Sequence, residues 1–255
     1  MEEVAKTVLI TGAARGIGLA TTQRFLKEGW NVVGIDNRGQ ALEEAFAGLK
    51  SNRACAICCD VSKPDDVYQM VPNAASLFGG LNALVNNAGI ADFAPAADHD
   101  YDLWRSVMAT NLDGPFLLIQ AIAPMLRDVG GGSIVNITSI SGLRASTMRV
   151  AYGTSKAALA HLTKQYAAEL GEWGIRVNAV APGPVETEMA KKVHSPAVRQ
   201  AYYDVLPIPR HAEERELANA IWFLTSPEAS YITGHILAVD GGFDAVGIGI
   251  AELRK

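Results

Sequence analysis

Short apolar runs rich in valine and isoleucine recur along the chain at 6–10, 31–36, 53–59, 82–89, 132–138, 175–181 and 235–239. Between them lie longer stretches, at 19–29, 40–50, 64–78, 101–127, 152–170 and 213–225, in which apolar residues return every three or four positions. The first pattern fits strands buried on both faces, the second helices with one apolar face. Their alternation predicts an α/β fold: a doubly wound parallel sheet of about seven strands, with right-handed crossovers placing helices on both faces. No repeat, linker or second domain interrupts it, so residues 1–255 read as one domain. In such a sheet ligands bind at the carboxyl ends of the strands, and Asp60, Asn86 and Ser139 lie at such ends. Residues 188–212 carry Pro207 and Pro209, polar helical pieces and no strong strand, and read as a mobile cover over that end.

Composition narrows the class of partner. Of 255 residues, 49% are hydrophobic and 19% charged, with a net charge of −5, which suits a globular protein and leaves no basic face for nucleic acid or anionic lipid. A small-molecule partner is expected. No apolar run approaches the roughly 18 residues of a membrane span, and the acidic start lacks the layout of a signal peptide, so a cytoplasmic location is expected. Cys55, Cys58 and Cys59 have no second cysteine pair or suitably spaced histidine; they read as buried strand thiols, not metal ligands.

The turn after the first strand, Thr11-Gly-Ala-Ala-Arg-Gly-Ile-Gly18, stands between a strand and a helix. Glycines there permit a sharp turn and let a pyrophosphate approach the helix N-terminus, whose free N–H groups favour anions. The spacing is Gly-x-x-x-Gly-x-Gly, not the commoner Gly-x-Gly-x-x-Gly. The second strand ends in Asp36, 18 residues after Gly18 and close to the position of a ribose-binding acid. A carboxylate there would repel a 2′-phosphate and points to NAD. Arg15 and Arg38 point the other way, toward a phosphate, and the alternative role for Asp36 is to cap the next helix.

Tyr152 and Lys156, four apart at the start of an apolar helix, share one face. A neighbouring ammonium favours the phenolate, so such a tyrosine could exchange protons with an alcohol or carbonyl. The plain alternative is a surface pair. Asn111 lies in the long helical stretch four residues before Pro115; the proline removes a hydrogen bond to the Asn111 carbonyl, so a kink able to hold water is expected there.

The ordered set Thr11-Gly-x-x-x-Gly-Ile-Gly18, Asn86-Asn-Ala-Gly89, Asn111, Ser139, Tyr152-x-x-x-Lys156 and Pro182-Gly183, with Ser139 thirteen residues before Tyr152, resembles the short-chain dehydrogenase/reductase family over about residues 5–243. The resemblance implies a Rossmann fold and a catalytic tetrad. Tyr152 would be the acid/base; Lys156 would lower its pKa and hold the nicotinamide ribose; Ser139 would bind the reacting oxygen; Asn111 would anchor a water leading to solvent. It further implies that Gly12, Gly16, Ile17 and Gly18 hold the pyrophosphate with Arg15 beside them. Asp36 would take the adenosine ribose, Asp60 and Val61 the adenine. Asn87, Ala88, Gly89, Pro182 and Gly183 would line the cofactor, and Val185 and Thr187 would meet the carboxamide. A homotetramer is implied too, with helices 101–127 and 151–170 at one interface; the tail 243–255 would reach a neighbouring subunit.

Residues 90–95, 140–150 and 184–205 are expected to line the substrate pocket, where Arg144 and Arg149 are the notable cations. Arg149 is a candidate partner for an anionic substrate group, or else a solvent-facing arginine. The favoured reading is an NAD-dependent dehydrogenase of a secondary alcohol, a hydroxy acid or polyol among the candidates. The alternative is an NADPH-dependent 3-oxoacyl thioester reductase, and the third reading is a nucleotide-binding protein without turnover.

Overall fold

The structure, a computed structural model, describes residues 5–91 and 93–246. Seven parallel strands form one sheet in the order β3-β2-β1-β4-β5-β6-β7: β1 (Thr7–Thr11), β2 (Asn31–Asp36), β3 (Ala54–Cys58), β4 (Ala83–Asn86), β5 (Gly132–Ile137), β6 (Ile175–Pro182) and β7 (Ile236–Val239). Strand side chains alternate between the two faces. Leu9, Val33 and Ile35 therefore pack with α3 (Pro64–Ser76), α5 (Gly114–Asp128) and α7 (Val150–Leu170), whereas Val8, Ile10 and Val32 pack with α1 (Gly16–Lys27), α2 (Gly39–Leu49) and α10 (Glu214–Thr225). Because both faces are covered, the central strands need apolar residues at every position, which is why they read as unbroken runs.

The chain runs from β1 outward to β3, then returns to lay β4 against the other side of β1, with Val8 opposite Ala83 and Ile10 opposite Val85. That reversal opens a crevice at the carboxyl ends of β1 and β4. At one side of the sheet α1 is held to α10 by three mutually edge-on rings, Phe25, Trp30 and Trp222, with centroids 5.1–5.8 Å apart. Burial of such large rings anchors the C-terminal end of α1 against α10.

The expected long helix over 101–127 is three pieces: α4 (Tyr101–Met108), a π-turn (Ala109–Asp113) and α5. Proline is the cause, as expected, but the ladder widens into a π-turn in front of Pro115, with Pro115 in the first turn of α5, where its missing N–H costs nothing. A short helix, α6 (Ile140–Leu143), precedes α7, and the expected cover contains α8 (Glu188–Val193) and α9 (Pro196–Val205). Among the described residues no helix is long and apolar enough to cross a membrane. The tail expected to reach a neighbour lies, beyond residue 246, outside the described residues.

Candidate active site

A cleft of about 470 Å³ runs along the carboxyl edge of the sheet, from Asp36 and Arg38 at one end to His194 and Tyr202 at the other. At the β1 end, Gly12 and Gly16 have φ of +65° and +60°, a region open to glycine. A Cβ on Gly18 would run into the Gly12 carbonyl oxygen, so this helical glycine lets the first turn of α1 close against the loop. The other side of the loop is fixed from β4: Asn87 donates from Nδ2 to the carbonyls of Thr11 (2.9 Å) and Gly12 (3.1 Å), and Thr11 Oγ1 accepts the N–H groups of Asn87 and Ala88. A Cβ on Gly12 would meet Asn87 Nδ2 at 2.8 Å. The result is a bare backbone shelf at a helix N-terminus whose cap residue, Arg15, makes no side-chain cap bond. Its first-turn N–H groups suit a pyrophosphate, so the residues present fit a dinucleotide.

Asp36, 5% exposed, is at the adenosine end as expected, but its carboxylate is already engaged. It accepts from the Ala14 N–H (3.2 Å), the Arg38 N–H (3.1 Å) and, through both oxygens, the Arg38 guanidinium at 3.0 Å each. It does not cap α2, whose N-cap is Arg38. Asp60 and Val61 line the adjoining wall, and Asp60 accepts from Ser62 N and Oγ. Asn86 is not in the cleft: its Nδ2 donates to Asn136 Oδ1 at 2.8 Å, a buried polar pair between β4 and β5. A position at a strand end therefore did not suffice to make it a site residue.

At the other end, Ser139, Tyr152 and Lys156 line the cleft together. Burial raises the Tyr152 pKa above that of a free phenol, opposed by a hydrogen bond from Ser139 and by the charge of Arg149. The expectation that Lys156 lowers it is not met in this arrangement: Lys156 Nζ lies 5.9 Å from the phenol ring centre and donates to the Ile137 carbonyl at 2.7 Å. Burial without a carboxylate brings the ammonium's own pKa down to about 8. Asn111, fully buried, stands behind the cleft. Its Oδ1 accepts from Ile90 N (2.9 Å) while Nδ2 donates to Ile90 O (2.9 Å) and Ser155 Oγ (3.0 Å). The amide thus ties the loop after β4 to α7. Gly89 makes this fit, since a Cβ there would lie 3.2 Å from Asn111 Oδ1 and 3.3 Å from Lys156 Nζ.

Arg149 faces the cleft, its guanidinium 4.0 Å from the Phe93 ring centre and 5.1 Å from that of Tyr152. Arg144 does not: it pairs with Asp244, Nε to Oδ1 at 2.7 Å. Pro182 at the end of β6, with Gly183, Val185 and Thr187 beyond it, completes the lining, and the cover adds Val193, His194 and Tyr202. Sequence reasoning did not single out Phe93, His194, Tyr202 or His211. The signal was present, since two of the chain's five histidines lie in the stretch 188–212.

Comparison with known proteins agrees with this geometry. The family model described as enoyl-(acyl carrier protein) reductase matches residues 12–244. Galactitol 2-dehydrogenase (L-tagatose-forming) of Cereibacter sphaeroides is 40% identical over 92% of this chain and 93% of its own. Trans-4-hydroxycyclohexanecarboxylate dehydrogenase of Sinomonas cyclohexanicum is 39% identical, over 93% and 92%. The 3-oxoacyl-[acyl-carrier-protein] reductase FabG of Thermotoga maritima is 37% identical, over 93% and 97%. The solved structure of ElxO with NADP bound superposes with a TM-score of 0.89 at 30% identity, covering 95% of this chain and 100% of that one. A dinucleotide shelf, a Rossmann sheet and full-length relatives that are dehydrogenases and reductases converge on one conclusion: the chain belongs to the short-chain dehydrogenase/reductase family and is an oxidoreductase acting on CH–OH groups.

Proposed function

We propose that the protein transfers a hydride between NAD(H) and a secondary alcohol or its ketone, with Tyr152 as acid/base, in the cytoplasm and as a homotetramer. The observation that carries this reading is the convergence of Ser139, Tyr152 and Lys156 on one end of a cleft whose other end holds Asp36. When bound, the nicotinamide supplies the hydride acceptor or donor. Ser139 Oγ–H holds the reacting oxygen. The Tyr152 phenol gives its proton to that oxygen in reduction, and the phenolate takes it back in oxidation. Burial keeps the phenol protonated, while Ser139 and Arg149 work against burial and make the phenolate accessible. Lys156 and Asn111 lie behind them, with Lys156 as the group that would hold the nicotinamide ribose. Exposed apolar side chains on α4 and α5, Tyr101 (70%) and Phe116 (41%), support the oligomer. The names of two relatives, one acting on a polyol and one on a hydroxy acid, support those substrate classes.

A second reading, an NADPH-dependent 3-oxoacyl thioester reductase, is favoured by Arg15 and Arg38 at the adenosine end of the cleft and by the similarity to FabG. Titration of NAD, NADH, NADP and NADPH into the protein and its Asp36→Ala variant separates them. NADH binding at least tenfold tighter than NADPH, with the gap of about 1.4 kcal/mol erased by the substitution, is the expected result. Tighter NADPH moves the reductase reading forward, and 3-oxoacyl thioesters are then the first substrates to assay.

A further inference from the structure

His194 follows α8, and His211 lies between α9 and α10, 3% exposed. His194 Nδ1 and His211 Nε2 are 3.0 Å apart, so one nitrogen carries a proton and the other a lone pair. The pair is walled by the Tyr202 ring, 5.3 Å from that of His194, and by the Tyr203 ring, edge-on to His211 at 5.5 Å. Arg149 at the start of α7, Arg199 on α9 and Glu186 after β6 are the charges that act on His194, and Glu186 is itself gripped by Arg199. Burial, the neighbouring imidazole and Arg149 and Arg199 push His194 below the ordinary histidine pKa, and burial with Arg199 does the same for His211, so both are neutral at pH 7. Their tautomers follow from the third nitrogen. His211 Nδ1 is buried and has no partner among the described residues. A buried orphan N–H is rarer than an under-satisfied acceptor, so His211 Nδ1 holds the bare lone pair and Nε2–H donates to His194 Nδ1. His194, which lines the cleft as His211 does not, is left with Nε2–H as a donor.

We propose that His194 Nε2–H and the Arg149 guanidinium together form a subsite for a carboxylate, making the substrate a hydroxy or oxo carboxylic acid, with His211 as the residue that positions the His194 proton. This rests on the dehydrogenase reading above and narrows its substrate. Held over the Phe93 ring at 4.0 Å, the guanidinium sits at the cleft, and its fork of N–H donors suits the two oxygens of a carboxylate. One cation and one neutral donor match a single negative charge better than a phosphate dianion. The rim supplies hydrocarbon contact for the rest of the molecule: Phe93, Val193 and Ile90 line the cleft and are 41%, 40% and 36% exposed.

The test is binding of cyclohexanecarboxylate and of cyclohexanecarboxamide to the NADH complex, followed by NADH fluorescence, in the wild type and in His194→Gln and His194→Asn. A glutamine amide reaches the position of Nε2, an asparagine amide only that of Nδ1. The carboxylate is expected to bind at least tenfold tighter than the amide in the wild type. His194→Gln should keep that preference within threefold, and His194→Asn should lose it while binding NADH as before. Equal binding of the two probes by the wild type overturns the proposal. So does an unchanged preference in His194→Asn, or loss of NADH binding in both variants, which would assign His194 to holding the cover. Turnover of an alcohol panel is measured in parallel. Carboxylate preference without any turnover sinks the dehydrogenase reading and leaves the subsite; turnover without the preference sinks the subsite alone.

Discussion

Arg38 spans both carboxylate oxygens of Asp36, with Nε and Nη2 each 3.0 Å from their acceptors. The carboxylate is buried while the arginine side chain is 41% exposed, so the arginine is the partner that can leave. A ribose diol seeking Asp36 has to displace one or both of these bonds, whereas a 2′-phosphate would find the guanidinium at hand. Arg38→Ala is therefore expected to tighten NADH and weaken NADPH, raising the ratio of their dissociation constants (NADPH over NADH) at least tenfold, as read by NADH and NADPH fluorescence titration. Unchanged affinities would mean that Arg38 stands clear of both cofactors.

Tyr152→Phe removes the proton carrier and leaves the cleft's shape. The expected loss is about a thousandfold in kcat, with NADH affinity within threefold of wild type. In the wild type, alcohol oxidation rises with pH as the phenol ionises. Arg149 is one of the two influences opposing burial of that phenol, so Arg149→Met should move this alkaline limb to higher pH. A limb that stays in place would remove Arg149 from the electrostatics of the site.

Lys156 gives function at the expense of stability. Its folded pKa near 8, against 10.5 when free, means that the unfolded chain binds more protons between those values. The burial penalty, about 3 kcal/mol, is complete below pH 8 and disappears as pH rises to 10.5. Replacing it with methionine abolishes that penalty and forfeits the hydrogen bond to Ile137, worth about 2 kcal/mol. Lys156→Met should thus be inactive yet about 1 kcal/mol more stable at pH 7, with the advantage gone by pH 10.5. Urea unfolding at the two pH values measures both.

Asn111→Ala leaves the Ile90 N–H and carbonyl without their side-chain partner and removes the buried bond to Ser155. A destabilisation of about 3 kcal/mol is expected, a fall of roughly 5–10 °C in Tm for a domain of this size, along with weaker substrate binding because Ile90 lines the cleft. A Tm within 1 °C of wild type would mean that the loop after β4 is held by other contacts.

Where local chemistry decides the structure, the sequence was a good guide. The β1 run, the glycine turn and α1 are specified by apolar residues, positive-φ positions and helix formers that neighbour one another. The same holds for the tetrad spacing, because Tyr152 and Lys156 share a helix face whatever else packs there. What could not be read were particular side-chain pairings, most of them across the fold. Arg38 competes for Asp36 through a side-chain rotamer, Asn86 turns to Asn136 instead of the cleft, and Arg144 leaves the pocket for Asp244, a hundred positions away. The π-turn before Pro115 belongs to the same class, since a proline states that the ladder is interrupted and the surrounding packing states how. His194 and His211 were hidden because neither has a motif; their meaning lies in a 3.0 Å contact.

The hold of Asn87 on the carbonyls of Thr11 and Gly12 spans about 75 positions of sequence. During synthesis the glycine turn leaves the ribosome long before the residue that shapes it. A nascent chain that ends within β3 carries the whole fingerprint, yet its shelf is unfinished until β4 has docked. Nucleotide capture should therefore follow assembly of the central strands and cannot guide it. The fingerprint is local in the text of the chain and long-range in its folding.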